Sequence, residues 1–150
     1  MADIVPADVR SRMMAGIRSR DTKPEILLRK GLHATGFRFR LHVRGLPGKP
    51  DMVFPRYRAV IFANGCFWHG HDCHLFKQPA TRREFWRKKV ARNRAADARA
   101  KDALENSGWR EATVWECALK GRTRLLLADV IAACAEWLRS DRPRMDIRGT

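Results

Sequence analysis

The chain has 150 residues, 45% of them hydrophobic and 31% charged, a composition typical of one globular domain with a single core. No stretch approaches the ~18 apolar residues of a membrane span, and the first residues lack the apolar segment of a signal peptide. We therefore expect a cytoplasmic protein. Cysteines stay reduced in that compartment, so the four present are expected as metal ligands or core residues rather than disulfides.

The formal net charge is +15, and the basic residues fall in several separate segments. Residues 1–50 hold eleven Lys and Arg against four acids, and residues 82–101 hold nine against two. Such a distribution favours a surface that follows the phosphate backbone of a nucleic acid. The alternative is a solvated basic protein without a specific partner.

Two helices are predicted at the start of the chain. Residues 7–20 form the first, and a capping box of Thr22 with Glu25 opens the second. Gly36 can end that second helix in a left-handed turn. The apolar edge of the first helix consists of Met13, Met14 and Ile17.

Strands are predicted next, and the patterns at 51–54 and 58–63 suggest a hairpin. An alternating pattern at 37–42 predicts one more strand before them. A loop rich in glycine and proline separates this strand from the hairpin.

The second half predicts a long helix, a strand and a closing helix. A capping box of Thr81 with Glu84 opens the long helix, which ends near residue 106. Residues 109–115 read as a strand and residues 122–138 as an amphipathic helix. The order α-α-β-β-β-α-β-α predicts one α/β domain, a sandwich with helices covering a mixed sheet.

A short loop after the third strand combines thiols with imidazoles. Cys66, His71 and Cys73 have the spacing C-x4-H-x-C, and Cys117 follows the predicted last strand. If those strands are neighbours in the sheet, Cys117 reaches the loop, and the four side chains suit a closed tetrahedral Zn²⁺ site of structural type. Alternatively, Cys66 and Cys117 are small buried apolar residues; Cys134, on the last helix, is expected in the core.

Pro50 and Asp51 open a predicted strand in a pattern similar to the first half of the PD-(D/E)xK nuclease motif. A carboxylate at this position would hold Mg²⁺ against the scissile phosphate. The second half of the motif is absent, because residues 58–64 contain no Asp or Glu. The alternative is that Asp51 only satisfies backbone groups in a turn.

His69 is the histidine left over once His71 is assigned to zinc. An imidazole beside a metal site can act as a general base that takes a proton from water. It is equally possible that His69 is a further zinc ligand or a solvent-facing residue. Glu25 and Asp97 are further carboxylates on helices, by default a capping residue and a surface charge.

Two aromatic pairs, Phe67–Trp68 and Phe85–Trp86, complete the candidates. Aromatic rings among basic residues such as Arg87 and Lys88 can stack on bases or wedge between base pairs, although core packing is the default for any one ring.

Taken together, these motifs resemble the very short patch repair endonuclease (Vsr) family. The similarity runs from about residue 10 to residue 137, and RSRDTxxE (18–25) matches as well. The segments that carry it are LPGKPD (46–51), VIF (60–62), GCFWH (65–69), HxC (71–73), LFKxPATRxEFW (75–86) and VWECAL (114–119).

The resemblance implies a restriction-endonuclease-like fold, a three-layer α/β/α sandwich with a structural zinc. It also implies a monomeric, Mg²⁺-dependent enzyme whose partner is double-stranded DNA. The family nicks the strand 5′ to the thymine of a T·G mismatch, which arises when 5-methylcytosine deaminates.

Roles follow from the resemblance residue by residue. Asp51 matches the principal Mg²⁺ ligand and His69 the general base, with Asp97 supporting the cluster and Glu25 reaching metal-bound water. The zinc set would be Cys66, His71, Cys73 and Cys117. The aromatic residues entering the duplex would be Phe67, Trp68 and Trp86, with Met14 and Ile17 approaching from the other groove as part of a DNA-contacting arm at residues 7–20.

The chain departs from the family where Thr-His is replaced by Ala63-Asn64. The threonine binds metal through its backbone carbonyl, which Ala63 can still supply. The histidine acts near the phosphate through its side chain, and Asn64 cannot carry charge.

Two other functions stay open at this point. One is a restriction-like endonuclease of the same fold without mismatch preference. The other is a catalytically silent, zinc-stabilised DNA-binding module. The missing second carboxylate favours the silent module, whereas the presence of both Asp51 and His69 favours an enzyme.

Overall fold

A four-stranded mixed sheet forms the centre of the structure, a computed structural model that describes residues 22–150. The outer strand β1 runs antiparallel to β2, whereas β2, β3 and β4 are parallel in the order β1-β2-β3-β4. The strands are β1 (Met52–Phe54), β2 (Ala59–Asn64), β3 (Arg110–Trp115) and β4 (Arg144–Ile147). The helices are α1 (Lys23–Ala34), α2 (Arg83–Asn106) and α3 (Leu127–Arg139).

Helices cover both faces of this sheet. Because side chains alternate along a strand, Ile61 packs on the face covered by α1 and α3, whereas Val60 and Phe62 pack on the face covered by α2. The larger core, under α1 and α3, includes the fully buried Trp137. The predicted α/β class with a mixed sheet is therefore confirmed.

Helix α1 begins as predicted. Thr22 is its N-cap and accepts a hydrogen bond from the Glu25 N–H, while Pro24 occupies the first turn, where its missing N–H leaves no bond unmade. Leu28 and Leu32 lie on one face of the helix and are fully buried against α3 and the sheet.

The strand predicted at residues 37–42 is wrong. This segment makes only one isolated bridge, in which Arg40 and Val53 exchange backbone hydrogen bonds of 2.8 and 3.0 Å. The ladder stops there because β1 has only three residues and His42 takes a left-handed φ of 54°, which turns the chain away. The alternating Phe37 and Phe39 pack against the core without strand pairing.

The boundaries of two helices also differ from the prediction. Thr81 does not cap α2: Arg82 is the N-cap, with a left-handed φ of 53°, and Glu84 pairs with Arg87 instead. Helix α3 begins at Leu127 rather than at residue 122, because the preceding residues form turns.

Strand β4 was not predicted at all. Its four residues pair with β3 at the edge of the sheet, and only Ile147 is buried, so the segment lacks a strong apolar alternation. Its position is nevertheless important, because it brings the C-terminal residues beside the loop that follows β2.

The predicted helix at residues 7–20, with Met14 and Ile17, lies outside the described residues. Within residues 22–150, no helix has the length and apolarity needed to cross a bilayer.

Candidate functional site

The thiol- and imidazole-rich loop begins where β2 ends. It is wound tightly by backbone hydrogen bonds, among them a bond of 2.9 Å from the His71 N–H to the Cys66 carbonyl. Cys117 lies in the 3₁₀ turn Glu116–Ala118 directly after β3. Because β2 and β3 are parallel neighbours, their carboxyl ends meet at the same edge of the sheet, and Cys117 reaches the loop there.

Four side chains meet at this edge, here called the metal cluster: Cys66, His71, Cys73 and Cys117. One ligand atom from each lies within 4.8 Å of all the others. His71 Nδ1 is 3.6 Å from the Sγ atoms of both Cys66 and Cys117. Three thiols and one imidazole are a soft donor set that could bind a metal of the type that favours tetrahedral sulfur and nitrogen ligands.

Burial sets the protonation of the metal cluster. It raises the pKa of the Cys66 and Cys117 thiols and lowers the pKa of His71, which keeps the imidazole neutral. A neutral imidazole can donate its lone pair to a metal, but the thiols must lose protons on binding. Metal uptake is therefore expected to release protons.

The surroundings of the metal cluster include residues that sequence reasoning missed. The Trp115 ring stacks on His71, with centroids 4.1 Å apart and planes 14° apart, and Trp115 Nε1 donates to the Asp146 carboxylate of β4 at 3.0 Å. The Gly149 N–H points to Cys117 Sγ at 3.3 Å, and Arg148 pairs with Asp72 at 2.6 Å. The sequence contained one signal for these residues, because Trp115 stands two residues before the candidate ligand Cys117.

Asp51 and Glu25 form a pair of carboxyl groups beside β2. Asp51 Oδ2 accepts a 2.6 Å hydrogen bond from the Ala63 N–H, and its carboxyl hydrogen-bonds Glu25. Burial, opposed by the Ala63 hydrogen bond and reinforced by the charge of Glu25, raises the pKa of Asp51 to about 7. Glu25 is 1% exposed and is paired with Arg29 at 2.9 Å, so it is more than a capping residue.

His69 and Asp97 form a second pair. His69 Nδ1 lies 2.5 Å from Asp97 Oδ2, which fixes the ring through that nitrogen and leaves Nε2 as the outer nitrogen. The edge of Trp115 contacts the His69 ring, with centroids 6.1 Å apart. Asp97 is thus not an isolated surface charge, and the metal cluster is complete without His69.

The two pairs are connected through the end of β2. Asp51 binds the backbone of Ala63, and the next residue, Asn64, lines the same cleft as His69 and Asp97. This cleft, here called the His69 cleft, lies between α2 and the carboxyl ends of the strands. Its wall includes Asn64, His69, Arg94, Asp97, Lys101 and Trp115.

Aromatic rings gather on the other side of the loop. Phe67 contacts both Trp68 and Trp86 with ring centroids 5.3 and 5.5 Å apart, and Trp68 contacts Trp86 at 5.7 Å. Trp86 is half-buried whereas Phe85 is exposed, as expected for a pair of which one packs inward. The aromatic cluster consists of Phe67, Trp68, Phe76, Phe85 and Trp86.

The aromatic cluster adjoins a basic surface. Arg82 lies over the Phe85 ring at 4.2 Å, and Arg87 and Lys88 are exposed on the first turns of α2. Rings and cations on one surface are the combination that binds bases together with backbone phosphates. The predicted contacts Met14 and Ile17 cannot be placed, because they lie outside residues 22–150.

This α/β domain carries a carboxyl pair, a His–Asp pair and a surface of aromatic and basic residues. Such a combination is suited to an enzyme that acts on nucleic acid. Residues 2–75 match the profile of the family described as DNA mismatch endonuclease Vsr. The chain is 46% identical to the DNA mismatch endonuclease Vsr of Escherichia coli K12, over 92% of this chain and 88% of that protein.

Two nicking enzymes are similar to the chain as well. The type II nicking enzyme V.XorIIP of Xanthomonas oryzae pv. oryzae is 45% identical over 85% of this chain and 98% of its own length. The type II nicking enzyme V.NmeAIP of Neisseria meningitidis is 41% identical over 81% of this chain and 87% of its own. The chain therefore belongs to the DNA mismatch endonuclease Vsr family, and this membership supports a DNA endonuclease activity.

The metal cluster yields a stability prediction. Cys73→Ala should remove bound metal and unfold or aggregate the protein, because ligand binding forms part of the folding free energy. Cys134→Ala is the matched control, since Cys134 is fully buried in the core outside the metal cluster. Elemental analysis and thermal unfolding should find metal and a cooperative transition in the control alone. A metal-free, well-folded Cys73→Ala protein would contradict the prediction.

Proposed function

We propose that this protein nicks the DNA strand 5′ to the thymine of a T·G mismatch and so initiates very short patch repair. The observation that carries the proposal is the placement of the Asp51–Glu25 pair and the His69–Asp97 pair at one end of β2. Family membership supports the same function. The proposal includes a restriction-endonuclease-like core, which agrees with helices on both faces of a mixed sheet.

The carboxyl pair fits a hard divalent cation. Asp51, Glu25 and the backbone carbonyl of Ala63 offer oxygen ligands, which Mg²⁺ prefers. We assign Asp51 as the direct ligand, Ala63 as a carbonyl ligand, and Glu25 as the group that reaches water on the ion. Bound Mg²⁺ supplies positive charge that stabilises the scissile phosphate and the leaving oxygen.

His69 is the proposed general base. With Nδ1 held by Asp97, the Nε2 atom can take a proton from the attacking water, and the Asp97 carboxylate stabilises the resulting imidazolium. Trp115 packs against the same ring and limits its rotation. Asn64 is buried at the cleft and supplies an amide but no charge to the substrate phosphate.

The metal cluster is proposed to hold structural Zn²⁺ through Cys66, His71, Cys73 and Cys117. These three thiolates and one imidazole would supply all four ligands of a structural ion, so no position would remain for a substrate. In this role the cluster fixes the loop that carries His69 on one side and Phe67 and Trp68 on the other.

Mismatch preference is assigned to the aromatic cluster. Inserting a ring between stacked base pairs costs a few kcal/mol. This cost is lower beside a T·G pair, because a T·G pair stacks less well than a Watson–Crick pair. Phe67, Trp68 and Trp86 recover part of that cost by stacking on bases, roughly 1–3 kcal/mol per base. Arg87 and Lys88 add affinity for any duplex.

The first test is a cleavage assay on matched duplexes of one sequence with T·G, C·G or A·T at the central pair. Wild-type protein with Mg²⁺ should nick only the T·G duplex, and Asp51→Ala should abolish nicking while retaining most of the binding. His69→Ala should lower the rate about 10²–10⁴-fold.

Each rival has its own signature in this assay. Equal cutting of the three duplexes would indicate a restriction-like endonuclease without mismatch preference. Binding without any nicking by the wild type would indicate a DNA-binding module. Undiminished cleavage by Asp51→Ala would remove the metal role from that residue.

The raised pKa of Asp51 predicts a pH-dependent affinity for Mg²⁺. Because this pKa lies at about 7, the carboxyl is largely protonated below that pH and must lose its proton when the cation binds. Affinity should therefore rise with pH, by at most about tenfold per pH unit below 7, and level off above about 8. Calorimetric titration of Mg²⁺ from pH 6 to 8.5 measures this, and an affinity independent of pH would contradict it.

The aromatic cluster predicts a separation of specificity from affinity. Trp68→Ala should reduce the preference for T·G over C·G duplexes. The inserted ring contributes most to binding beside the T·G pair, because that pair stacks less well than C·G. Arg87→Ala and Lys88→Ala are the controls. They should weaken binding to both duplexes alike and reduce the dependence of the affinity on salt concentration. If Trp68→Ala weakened binding to both duplexes equally, the ring would contact DNA without distinguishing T·G from C·G.

A further inference from the structure

Arg94 lies where the aromatic cluster and the His69 cleft meet. It lines the His69 cleft, and it also lines the cavity bounded by Phe67 and Trp86. On α2 it stands three residues before Asp97, so both side chains project from the same face of the helix. A strand whose bases reach the rings and whose phosphate reaches His69 must pass Arg94.

The stem of Arg94 packs against the backbone of Gly70. Gly70 adopts a left-handed φ of 60°, and a Cβ added there would lie 2.4 Å from Val90 Cγ1 and 3.2 Å from Arg94 Cδ. The backbone between His69 and His71 therefore rests directly on α2, with the aliphatic part of Arg94 against it. Arg94 is otherwise exposed, so its guanidinium is accessible to a ligand.

One other cation of the cleft is already engaged. Arg144 pairs with Glu105 and lies 3.6 Å from Glu111. Within residues 22–150, neither Arg94 nor Lys101 makes an ion pair, but of the two only Arg94 also lines the cavity bounded by Phe67 and Trp86. Because Asn64 is neutral and only Arg94 lines both cavities, Arg94 is the cation that a strand crossing from the rings to His69 meets.

We propose that Arg94 binds a backbone phosphate of the nicked strand, at the scissile bond or one nucleotide from it, and thereby positions the strand at His69. This inference rests on the proposed function for the location of the nick. Arg94 is a substrate-positioning residue in this assignment, because its charge fixes the phosphate while His69 handles the proton.

The test measures binding without Mg²⁺, on T·G duplexes that carry one neutral methylphosphonate at each linkage around the expected nick. On the unmodified duplex, Arg94→Gln should lose affinity about three- to tenfold, and the slope of log K against log salt should fall by roughly 0.9. One methylphosphonate should weaken the wild type but leave Arg94→Gln unaffected, because the variant lacks the cation that reads that phosphate.

The matched control is Arg92→Gln, because Arg92 is exposed on the same helix and lines neither cavity. It should lose some affinity on every duplex but keep the wild-type sensitivity to each linkage. Arg94→Lys should restore most of the affinity lost by Arg94→Gln.

The proposal is overturned if Arg94→Gln binds like the wild type, or if it keeps the wild-type sensitivity at every linkage. Circular dichroism on each variant excludes misfolding as the source of a loss. The binding assay contains no Mg²⁺ and does not depend on cleavage. If the wild type failed to nick DNA, the proposed function would be refuted, but the binding data would still decide whether Arg94 contacts the phosphate.

Discussion

The parallel pairing of β2 with β3 is the constraint on which the rest of this site depends. Its register sets Asn64 opposite Trp115, so the two strands end together and the segments after them emerge at the same edge. One segment brings Cys66 and the other Cys117, and their thiols meet across 50 residues of sequence. A polar loop with little core of its own can be rigid at this edge because it is joined to both strands.

That rigidity matters for chemistry because one loop carries residues of three different kinds. His71 faces the metal cluster, His69 faces Asp97 in the cleft, and Phe67 faces the aromatic cluster. Trp115 stacks on the first imidazole and touches the second, so the metal cluster and the proposed base share a neighbour that β4 anchors through Asp146. Movement of the loop would therefore disturb all three sites together.

The fold was predictable where local signals were strong. The Thr22 cap identified the start of α1, and the apolar runs located β2 and β3. Strand β4 was missed because its pairing with β3 is long-range and only Ile147 is buried, and residues 37–42 were misread because aromatic alternation there fills the core without a ladder.

The candidate site was predictable in its components and in the grouping of its four metal-ligating side chains, but not in its carboxyl pair. Loop spacing identified Cys66, His71 and Cys73 as a group, and the prediction that Cys117 joins them if the two strands are neighbours is confirmed by the strand register. The pair formed by Glu25 and Asp51 joins a helix start to a strand start, a contact that no sequence window contains. These partners depend on tertiary packing, which periodicity does not encode.

We propose that one ion holds the loop through the three thiols and the imidazole of the metal cluster, and that His69 is not a ligand because it pairs with Asp97. X-ray absorption spectroscopy at the zinc edge of the purified protein measures the number and type of the ligands. We expect three sulfur ligands at about 2.3 Å and one nitrogen at about 2.0–2.1 Å. A shell with two nitrogens, or one with oxygen from water, would contradict it, because His69 would then be a ligand or the site would be open.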